Sequence, residues 1–388
     1  MLIHYSQIVA PYIRYLAGVS AKGAGDANPA TRAAIELLLS GEQQRAAEAL
    51  AAMVATGARD ALACGALGFI AYLRRQGELA VQFLEQAVEL DPNEANNFAL
   101  LAVCHLGLEH HSQALDAFRS ALHLDPALHV AQTLMWSAIA GAGSMDQALN
   151  ALKTALLDDL QHAPVAAASA IRVENTTLCM VDCINHALAE RALRLCMAGC
   201  TFDEVKWLTD RPIAIPGVQT VLVPPIRSPA EYSRFMIKDL LRHVETEYVL
   251  VAQWDGYVIN PRAWSPEFLL FDYIGARWDS APHPESSRHN VGNGGFSLRS
   301  RTLLQALQDP AIEPLHPEDR TICRNYRSYL EDRHGVVFAP DDVADRFSFE
   351  HIEQATLPFG FHGVTNFARL VPAPGFATLD FLFDGRKP

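Results

Sequence analysis

Residues 61–92 read ALACGALGFIAYLRRQGELAVQFLEQAVELDP, and this stretch decides the fold of the first half because it recurs. ANNFALLAVCHLGLEHHSQALDAFRSALHLDP occupies 95–126 and HVAQTLMWSAIAGAGSMDQALNALKTALLDDL occupies 129–160, so the period is 34 residues. Apolar residues recur at helical spacing on both sides of a polar break in each copy. The pattern predicts one helix pair per copy. Pro92 and Pro126 should end the second helix, because proline cannot continue it.

The positions that hold small residues also repeat, and we expect the paired helices to cross closely there. The eighth position of each copy holds Gly68, Ala102 and Trp136, the twentieth Ala80, Ala114 and Ala148, and the twenty-seventh Ala87, Ala121 and Ala155, so all but Trp136 are small; Leu84, Phe118 and Leu152 are the larger partners. A weaker fourth copy begins at about residue 27. The pattern resembles the tetratricopeptide repeat. The resemblance implies an α-solenoid that binds a peptide or protein, with self-association as the alternative use.

The composition of the chain describes a globular protein and excludes several kinds of partner. Of 388 residues, 50% are hydrophobic and 19% charged, and the formal net charge is −13, which disfavours binding to nucleic acid or to an anionic bilayer. No apolar run approaches the roughly 18 residues needed for a membrane span. The opening residues lack the basic start of a signal peptide, so we expect a cytoplasmic protein.

Four of the seven cysteines form two C-x3-C pairs, Cys179 with Cys183 and Cys196 with Cys200. Such spacing raises the possibility of a zinc site. The neighbours are apolar, however, which favours small core residues kept reduced.

From Thr176 onward, strand-like and helix-like segments alternate. TTLCMVD (176–182), EVKWLTD (204–210) and EYVLVAQWDG (247–256) are apolar runs typical of strands, and 183–199 and 228–244 have helical period. Alternation of this kind predicts a mostly parallel sheet with helices on its faces, with ligands bound beyond the carboxyl ends of the strands. Asp182, Asp210 and Asp255 should all lie on that edge. For each of them, a helix-capping or turn role is the alternative.

The stretch VGNGGFSLRS (291–300) places two adjacent glycines directly before an apolar run. Glycine admits positive φ and allows another group to approach the backbone closely. We therefore expect Gly294 and Gly295 to use that freedom at a binding site, and a tight hairpin turn is the alternative.

Five motifs occur in order in the second half: VLVAQWDGYVINP (249–261), EFLLFDYIGARW (267–278), VGNGGFSLRSRTLL (291–304), HPEDRTICR (316–324) and LPFGFHG (357–363). Together, over about residues 176 to 370, they resemble a family of domains placed with the glycosyltransferase-A fold. The resemblance implies a Rossmann-like α/β domain that transfers sugars from nucleotide donors. The predicted organisation is an N-terminal extension (1–26), a tetratricopeptide-repeat domain (27–165), a glycosyltransferase-A-like domain (176–375) and a C-terminal tail (376–388).

The resemblance also assigns the central site residues. Members of the fold carry Asp-x-Asp after a strand to hold a divalent cation, and this chain reads Gln253-Trp254-Asp255 there. Asp255 would therefore hold Mn²⁺ or Mg²⁺ with His362, for which a buried structural role is the alternative. Asp319, with Glu318 beside it, resembles the catalytic base of inverting members. Acids that only begin a helix are the alternative there.

The remaining site predictions concern the donor and the cavity wall. Arg299 would point toward phosphate or form a surface salt bridge, and Trp278 would stack on a sugar or only pack. The segment 279–290 is predicted as a loop that closes over the donor, or as an ordinary surface loop. The predicted donor-binding residues are Asp182, Asp210, Gln253, Trp254, Asp255, Asn293, Gly294, Gly295 and Arg299, and the predicted cavity residues are Asp272, Tyr273, Gly275 and Trp278.

Two functions from different classes fit this reading. The first is a metal-assisted, inverting glycosyltransferase whose repeats recruit an acceptor protein, peptide or glycan. The second is a non-catalytic scaffold with a degenerate sugar-nucleotide-binding domain, which the single carboxylate of Gln253-Trp254-Asp255 favours. A nucleotidyltransferase ranks third, because the chain lacks a basic glycine-rich loop after the first strand.

Overall fold

The computed structural model describes residues 5–21, 28–57, 60–126, 128–158, 170–278, 290–350 and 356–370. The chain forms two compact units, Met1–Leu152 with Phe367–Pro388, and Lys153–Asn366. Residues 159–169, which include the predicted end of the repeat domain at 165, most of the predicted loop at 279–290 and the whole predicted tail at 376–388 lie outside the described residues.

The first unit is helical, and its helices repeat with the period of the sequence. The first helices of the three strong copies begin at Ala61, Ala95 and His129, and the second helices at Gly77, His111 and Met145. The weaker fourth copy also forms a helix pair, as predicted. The helices are α1 Tyr5–Ala21, α2 Pro29–Leu39, α3 Gln43–Ala55, α4 Ala61–Leu73, α5 Gly77–Leu90, α6 Ala95–Gly107, α7 His111–Leu124, α8 His129–Gly141 and α9 Met145–Asp158.

Close crossing at small residues holds these pairs together. A Cβ on Gly68 of α4 would lie 2.6 Å from the Cγ of Leu84 on α5, so the leucine fills the space that glycine leaves. Ala80 and Ala87 of α5 are fully buried. The helix ends at Leu90, and Asp91 is extended before Pro92, because proline disfavours a helical residue in front of it. The helix pairs and their ends are therefore as the sequence predicts.

The second unit contains a six-stranded mixed sheet. Strand order is β5-β4-β2-β6-β8-β7, in which β5, β4, β2 and β6 are parallel and β8 is antiparallel to both neighbours. The chain fills positions on one side of β2 and then crosses to β6, so the order reverses between β2 and β6. The strands are β1 Ile171–Arg172, β2 Thr176–Val181, β3 Cys200–Thr201, β4 Glu204–Thr209, β5 Gln219–Leu222, β6 Tyr248–Ala252, β7 Tyr273–Ile274, β8 Ser297–Ser300, β9 Ser348–Phe349 and β10 Gly360–Phe361.

Except for α10, the helices of the second unit are short, and two of them continue into π-helical turns. The segment 228–244, predicted as one helix, is α-helical only at its start and continues as a π-helix at Phe235–Asp239 and a 3-10 helix at Leu240–His243. A second π-helix, Thr321–Asn325, follows the turn that carries Glu318 and Asp319. The α-helices are α10 His186–Gly199, α11 Pro229–Arg234, α12 Arg301–Ala306, α13 Glu318–Arg320, α14 Arg327–His334 and α15 Asp341–Phe347, and α16 Phe367–Leu370 follows in the first unit.

All seven cysteines are buried and unpaired. Burial raises the pKa of Cys179, Cys196 and Cys200 to about 12, so these side chains are neutral thiols that fill the core. Among the described residues no three His, Cys, Asp or Glu side chains gather as ligands for a metal ion. In the same part of the chain, no helix has both the length and the apolar character of a membrane span.

Candidate functional site

The site forms at the carboxyl ends of the parallel strands, where the strand order reverses. Asp182 directly follows β2, Asp210 directly follows β4, and Asp255 lies in the turn after β6, so all three lie at one edge of the sheet. Gln253 and Gly256 exchange backbone hydrogen bonds of 2.9 and 3.0 Å, which holds Trp254 and Asp255 at the tip of a two-residue turn. Ligands of open α/β sheets bind beside such a reversal.

His362 reaches this edge because two short strands deliver it together with Glu350. The strands β9 and β10 are parallel, so the residues that follow them, Glu350 and His362, come out side by side. The Nδ1 atom of His362 lies 3.1 Å from Oε1 of Glu350. Its Nε2 atom faces the turn after β6, 3.7 Å from Oδ1 of Asp255 and 3.3 Å from Oε1 of Gln253. The imidazole therefore bridges two carboxylates.

The charges around His362 favour its cationic form. Burial alone would lower the pKa of His362, but Asp255 and Glu350 raise it from 6.5 to about 9. Burial raises the pKa of Asp255 above its ordinary value, although His362 opposes that shift. The imidazolium donates from Nδ1 to Glu350, so the amide of Asn293, 3.0 Å away, donates to that nitrogen only in the neutral ring.

Large side chains pack directly on the backbone of the V-G-N-G-G stretch, and this packing explains its glycines. A Cβ on Gly292 would lie 2.1 Å from the Trp278 ring, one on Gly294 would lie 2.0 Å from Glu318, and one on Gly295 would lie 2.1 Å from the His362 ring. The loop thus works as a flat platform for three large side chains.

Positive φ occurs one residue before the glycine pair, contrary to the expectation for Gly294 and Gly295. Among these three residues only Asn293 has it, at 64°. The Asn293 side chain makes that conformation tolerable, because its Oδ1 accepts a hydrogen bond from the backbone N–H of Gly295 at 3.1 Å. Asn293 is also only 2% exposed, so its backbone forms the core of the platform and not an open rim.

The adjacent acids Glu318 and Asp319 separate into different environments. Asp319 is half-buried, and its Oδ2 accepts a hydrogen bond from the N–H of Gly294 at 3.2 Å. Glu318 is buried behind the platform, 3.3 Å from Nη2 of Arg299. Burial raises the pKa of Glu318, although Arg299 opposes the shift. The structure therefore leaves Asp319 as the candidate base and places Glu318 out of reach of a substrate.

Arg299 does not point toward a donor phosphate and does not form a surface salt bridge, so both predictions for it are wrong. Its side chain is fully buried. It donates to the carbonyl of Gly294 and to Oγ of Ser297, and it pairs with Glu318. The reason is its position on β8, which lies between β6 and β7 inside the sheet. Arg299 supports the platform from below.

The predicted cavity residues lie in different places. Asp272 precedes β7 at the opposite edge of the sheet, where it accepts hydrogen bonds from the hydroxyl of Ser300 and the N–H of Val337, so it does not border the site. Tyr273 is fully buried and donates to the carbonyl of Asn293 at 3.0 Å. Gly275 allows the backbone of residues 292–293 to pass closely. Trp278 packs on Gly292.

Asp182 and Asp210 lie on the predicted edge but are engaged locally. The Oδ1 atom of Asp182 accepts from the N–H groups of Ile184 and Asn185 at 2.7 and 2.6 Å, which is the turn role considered as its alternative. Asp210 lies 3.0 Å from Nε2 of His186. Either carboxylate can accept further hydrogen bonds from a ligand, because each oxygen has two acceptor positions.

Sequence reasoning missed three residues of the site: Glu350, Tyr232 and Arg324. Tyr232 is the partner of the Gln253 amide at 2.8 Å, and Arg324 lies over the Trp278 ring, 4.4 Å from its centre. Glu350 had no motif to mark it, and its role depends on the pairing of β9 with β10 across 10 intervening residues. Arg324 lies within the quoted HPEDRTICR stretch, where its charge was the available signal.

The residues around Asp255 fit a divalent cation with two protein ligands. Asp255 offers a hard oxygen and His362 a nitrogen, 3.7 Å apart, with the Gln253 oxygen beside them. Glu350 contacts Nδ1 of His362, the ring nitrogen that faces away from Asp255. A carboxylate in this position typically orients a metal-bound histidine. Asp255 and Glu350 raise the pKa of His362, so a metal ion would have to displace a proton from Nε2.

Comparison with known proteins finds a family-model match for one stretch and a structural likeness for another. Residues 218–362 match the family described as "Protein of unknown function (DUF5672)", a stretch that ends at His362. The N-terminal helical repeat region is similar to MamA. One solved structure, "Crystal structure of MamA", is 21% identical, with 39% of this chain and 88% of that chain covered and a TM-score of 0.31. Another, "Crystal structure of MamA protein", is 19% identical, with 42% and 96% covered and a TM-score of 0.31. The comparison with curated proteins finds no match.

Proposed function

We propose that the second unit is a glycosyltransferase of glycosyltransferase-A type, which moves a sugar from a nucleoside diphosphate donor to an acceptor held by the tetratricopeptide-like repeats. One observation carries the proposal. Asp255, His362 and Asp319 converge on the Gly292–Gly295 platform at the edge where the strand order of a mostly parallel sheet reverses. Acidic, cationic and backbone donor groups thus surround one place where a phosphate ester and a hydroxyl can meet.

The departing diphosphate gains negative charge, and the Asp255–His362 pair is the part of the site that would neutralise this charge. At neutral pH the His362 imidazolium itself places a positive charge beside Asp255, since its pKa is about 9. Asp255 and His362 would hold Mn²⁺ or Mg²⁺, and the cation would act as a Lewis acid on the diphosphate oxygens. Glu350 keeps the imidazole oriented in either case.

Asp319 is the proposed general base. It accepts the proton of the acceptor hydroxyl while that oxygen attacks the anomeric carbon and the bond to the diphosphate oxygen breaks, with the electron pair leaving on the diphosphate. The N–H of Gly294 fixes the carboxylate through Oδ2. Each carboxylate oxygen keeps a second acceptor position for the incoming hydroxyl. Attack from the face opposite the leaving group would invert the anomeric centre.

The repeats supply the surface for acceptor recruitment in this proposal. A cavity of about 430 Å³ opens on the first unit, lined by Pro92, Phe98, Arg119, Ser120, His123 and Leu124. Its mixture of apolar and hydrogen-bonding side chains suits a peptide segment.

The test is nucleotide binding by the full chain. Thermal unfolding is measured with UDP, GDP, ADP and CDP, with and without MnCl₂, for the wild type, Asp255→Asn and the matched control Asp332→Asn, an exposed carboxylate on α14. We expect one nucleotide to raise the melting temperature only with Mn²⁺, and Asp255→Asn to abolish the shift that Asp332→Asn keeps. No shift with any nucleotide would contradict the proposal. The corresponding sugar nucleotides are then assayed for hydrolysis.

A binding scaffold is the second candidate, and one observation favours it. The turn after β6 has a single carboxylate, and the Gln253 amide that stands in place of a second one is already bonded to Tyr232. A scaffold would bind the nucleotide without hydrolysing any sugar nucleotide or transferring its sugar. Turnover that Asp319→Asn removes would exclude it.

A further inference from the structure

Arg324 is held at the border of the site by stacking. Its guanidinium lies 4.4 Å from the centre of the Trp278 ring, and Trp278 in turn packs on Gly292, the first glycine of the platform. Stacking on an aromatic ring fixes the plane of a guanidinium and leaves its hydrogen-bonding edge available.

No described residue forms a hydrogen bond with that edge. The Nε atom of Arg324 is buried and has no hydrogen-bond partner in the described part of the chain. Arg320, four residues earlier and exposed, also has no acidic partner among the described residues. Four other arginines of the same unit do form ion pairs. Arg277, Arg299, Arg327 and Arg346 are paired with Asp345, Glu318, Glu331 and Glu267, respectively.

The electrostatics agree with an uncompensated positive charge. Burial and the neighbouring Arg320 lower the pKa of Arg324, and Asp319 is the nearby acid that partly opposes them. A buried N–H donor without an acceptor is costly unless a ligand supplies one.

The position of Arg320 and Arg324 favours contact with the acceptor over contact with the donor. Trp278 follows β7, the last strand at one side of the sheet, whereas Asp182 and Asp210 follow β2 and β4 on the other side of β6. A donor nucleotide beside Asp182 and Asp210 leaves the Trp278 side to the second substrate. Asp319, the proposed base, accepts a hydrogen bond from Gly294 of the platform.

We infer that Arg320 and Arg324 bind an oxyanion of the acceptor, a carboxylate or a phosphate, so that the acceptor of this enzyme is acidic. That the oxyanion belongs to an acceptor rests on the proposed function. The oxyanion site itself rests on the stacked guanidinium and its unpaired edge. A carboxylate and a phosphate both present the two oxygens that a guanidinium fork binds.

Ligand-detected NMR titration of the full chain tests the site with four probes: glucuronate, glucose 6-phosphate, glucose and inorganic pyrophosphate. The variants are Arg324→Gln, which removes the charge, Arg324→Lys, which keeps the charge but loses the planar fork, and Arg320→Gln. The matched control is Arg242→Gln. The Arg242 side chain is 73% exposed and lies just before β6, at the amino edge of the same sheet.

We expect the wild type to bind glucuronate or glucose 6-phosphate and to bind glucose far more weakly. Arg324→Gln and Arg324→Lys should each weaken binding of the acidic sugar about tenfold or more, Arg320→Gln less, and Arg242→Gln not at all. Which acidic sugar binds identifies the oxyanion as carboxylate or phosphate. Equal affinities in wild type and Arg324→Gln, or no binding of either acidic sugar, would overturn the inference.

Pyrophosphate separates the two substrates. If pyrophosphate and the acidic sugar bind together, the oxyanion site belongs to the acceptor. If they compete and pyrophosphate also depends on Arg324, the site holds the donor diphosphate and the acceptor assignment is wrong. Binding of an acidic sugar by a protein that binds no nucleotide would leave the oxyanion site intact and remove only the proposed sugar transfer.

Discussion

Both units of the protein rely on positions without a Cβ atom, but they fill the space in different ways. In the repeat array, Gly68 receives the apolar side chain of Leu84. In the sheet unit, Gly294 and Gly295 receive a carboxylate, Glu318, and an imidazole, His362. The same missing methyl group therefore serves helix packing in one unit and the placement of ionisable groups in the other.

The difference shows what each unit must stabilise. Apolar contact in the array is favourable at every repeat and needs no partner beyond the next helix. Buried charges need partners, and the platform has a layer of them beneath it. Arg299 pairs with Glu318 inside the sheet, and Tyr273 donates to the backbone of Asn293. The buried Arg299–Glu318 ion pair thus supports the polar groups of the site.

The largest effect should come from breaking that ion pair. Arg299→Gln leaves Glu318 buried without its cation, so we expect the free energy of unfolding of the second unit to fall by about 3–5 kcal/mol. Urea denaturation followed by tryptophan fluorescence measures it, because Trp207, Trp254, Trp264 and Trp278 are all in that unit.

The control is an exposed ion pair of the same unit. Arg346 and Glu267 are 2.8 Å apart with side chains 49% and 41% exposed, so Arg346→Gln should cost less than about 1 kcal/mol. Equal losses for Arg299→Gln and Arg346→Gln would show that the buried pair does not support the platform.

Raising the pH should lower the free energy of unfolding of the sheet unit, and a His362→Gln variant should lack this pH dependence. The pKa of His362 in the folded protein is about 9, above its ordinary 6.5, so the folded state binds the proton more tightly. The stabilisation is complete below pH 6.5 and is lost as the pH rises to 9, with a limit of about 3 kcal/mol. Urea denaturation at pH 6, 7.5 and 9 measures it.

Manganese should reverse this trend, because a metal ligand must be unprotonated. We expect Mn²⁺ affinity to rise about tenfold per pH unit up to pH 9 through release of one proton. Affinity that does not change with pH would exclude His362 as a ligand.

Alanine at a glycine of each unit compares the two uses of the missing Cβ directly. Gly295→Ala and Gly68→Ala both overpack, with new contacts at 2.1 Å to the His362 ring and 2.6 Å to Leu84, and each should cost about 1–3 kcal/mol. Only Gly295→Ala should also abolish nucleotide-dependent thermal stabilisation, because it displaces His362. If Gly68→Ala abolished it equally, the loss would reflect general destabilisation.

The sequence predicted the array almost completely, and the reason is local. Each repeat carries its own signals, the small residues and the proline after the second helix, and these recur at a period that needs no long-range information. The strands β2, β4 and β6 were also predictable, because each is an apolar run. The segment 228–244 was read as one helix, because an α-helix and a π-helix share nearly the same apolar pattern.

The site was only partly predictable, because its pairings are long-range. The resemblance implied that Asp255, Asp319 and His362 belong to one site, and the structure brings His362 and Asp319 to the platform, with Asp255 beside His362. Arg299 looked like a ligand for phosphate because a charged residue in a strand is usually near the surface, and only its register on β8 puts it inside the sheet. Asp272 was placed at the wrong edge, because a two-residue strand, β7, is too short to show its direction in the sequence.

The smallest effects concern how helices begin in the two units. Asp60 caps α4, with Oδ1 accepting from the N–H of Ala63 at 3.0 Å, and its second oxygen accepts from Thr31 of another helix pair. Ser228 caps α11 in a local exchange with Glu231. Removing a cap costs about 1 kcal/mol. Asp60→Ala should therefore destabilise the array by about 1–2 kcal/mol, and Ser228→Ala the sheet unit by about 1 kcal/mol or less.

The measurement for Asp60→Ala is urea denaturation followed by circular dichroism at 222 nm, which reports mainly the helical array. The control is Gln76→Ala, since Gln76 precedes α5 at the capping position but its side chain makes no cap hydrogen bond. We expect Gln76→Ala to change stability by a few tenths of a kcal/mol. If Asp60→Ala cost no more than Gln76→Ala, the bond to Thr31 would not connect successive helix pairs. The stability of the array would then rest on apolar packing alone, which would make the contrast with the charge-supported platform sharper.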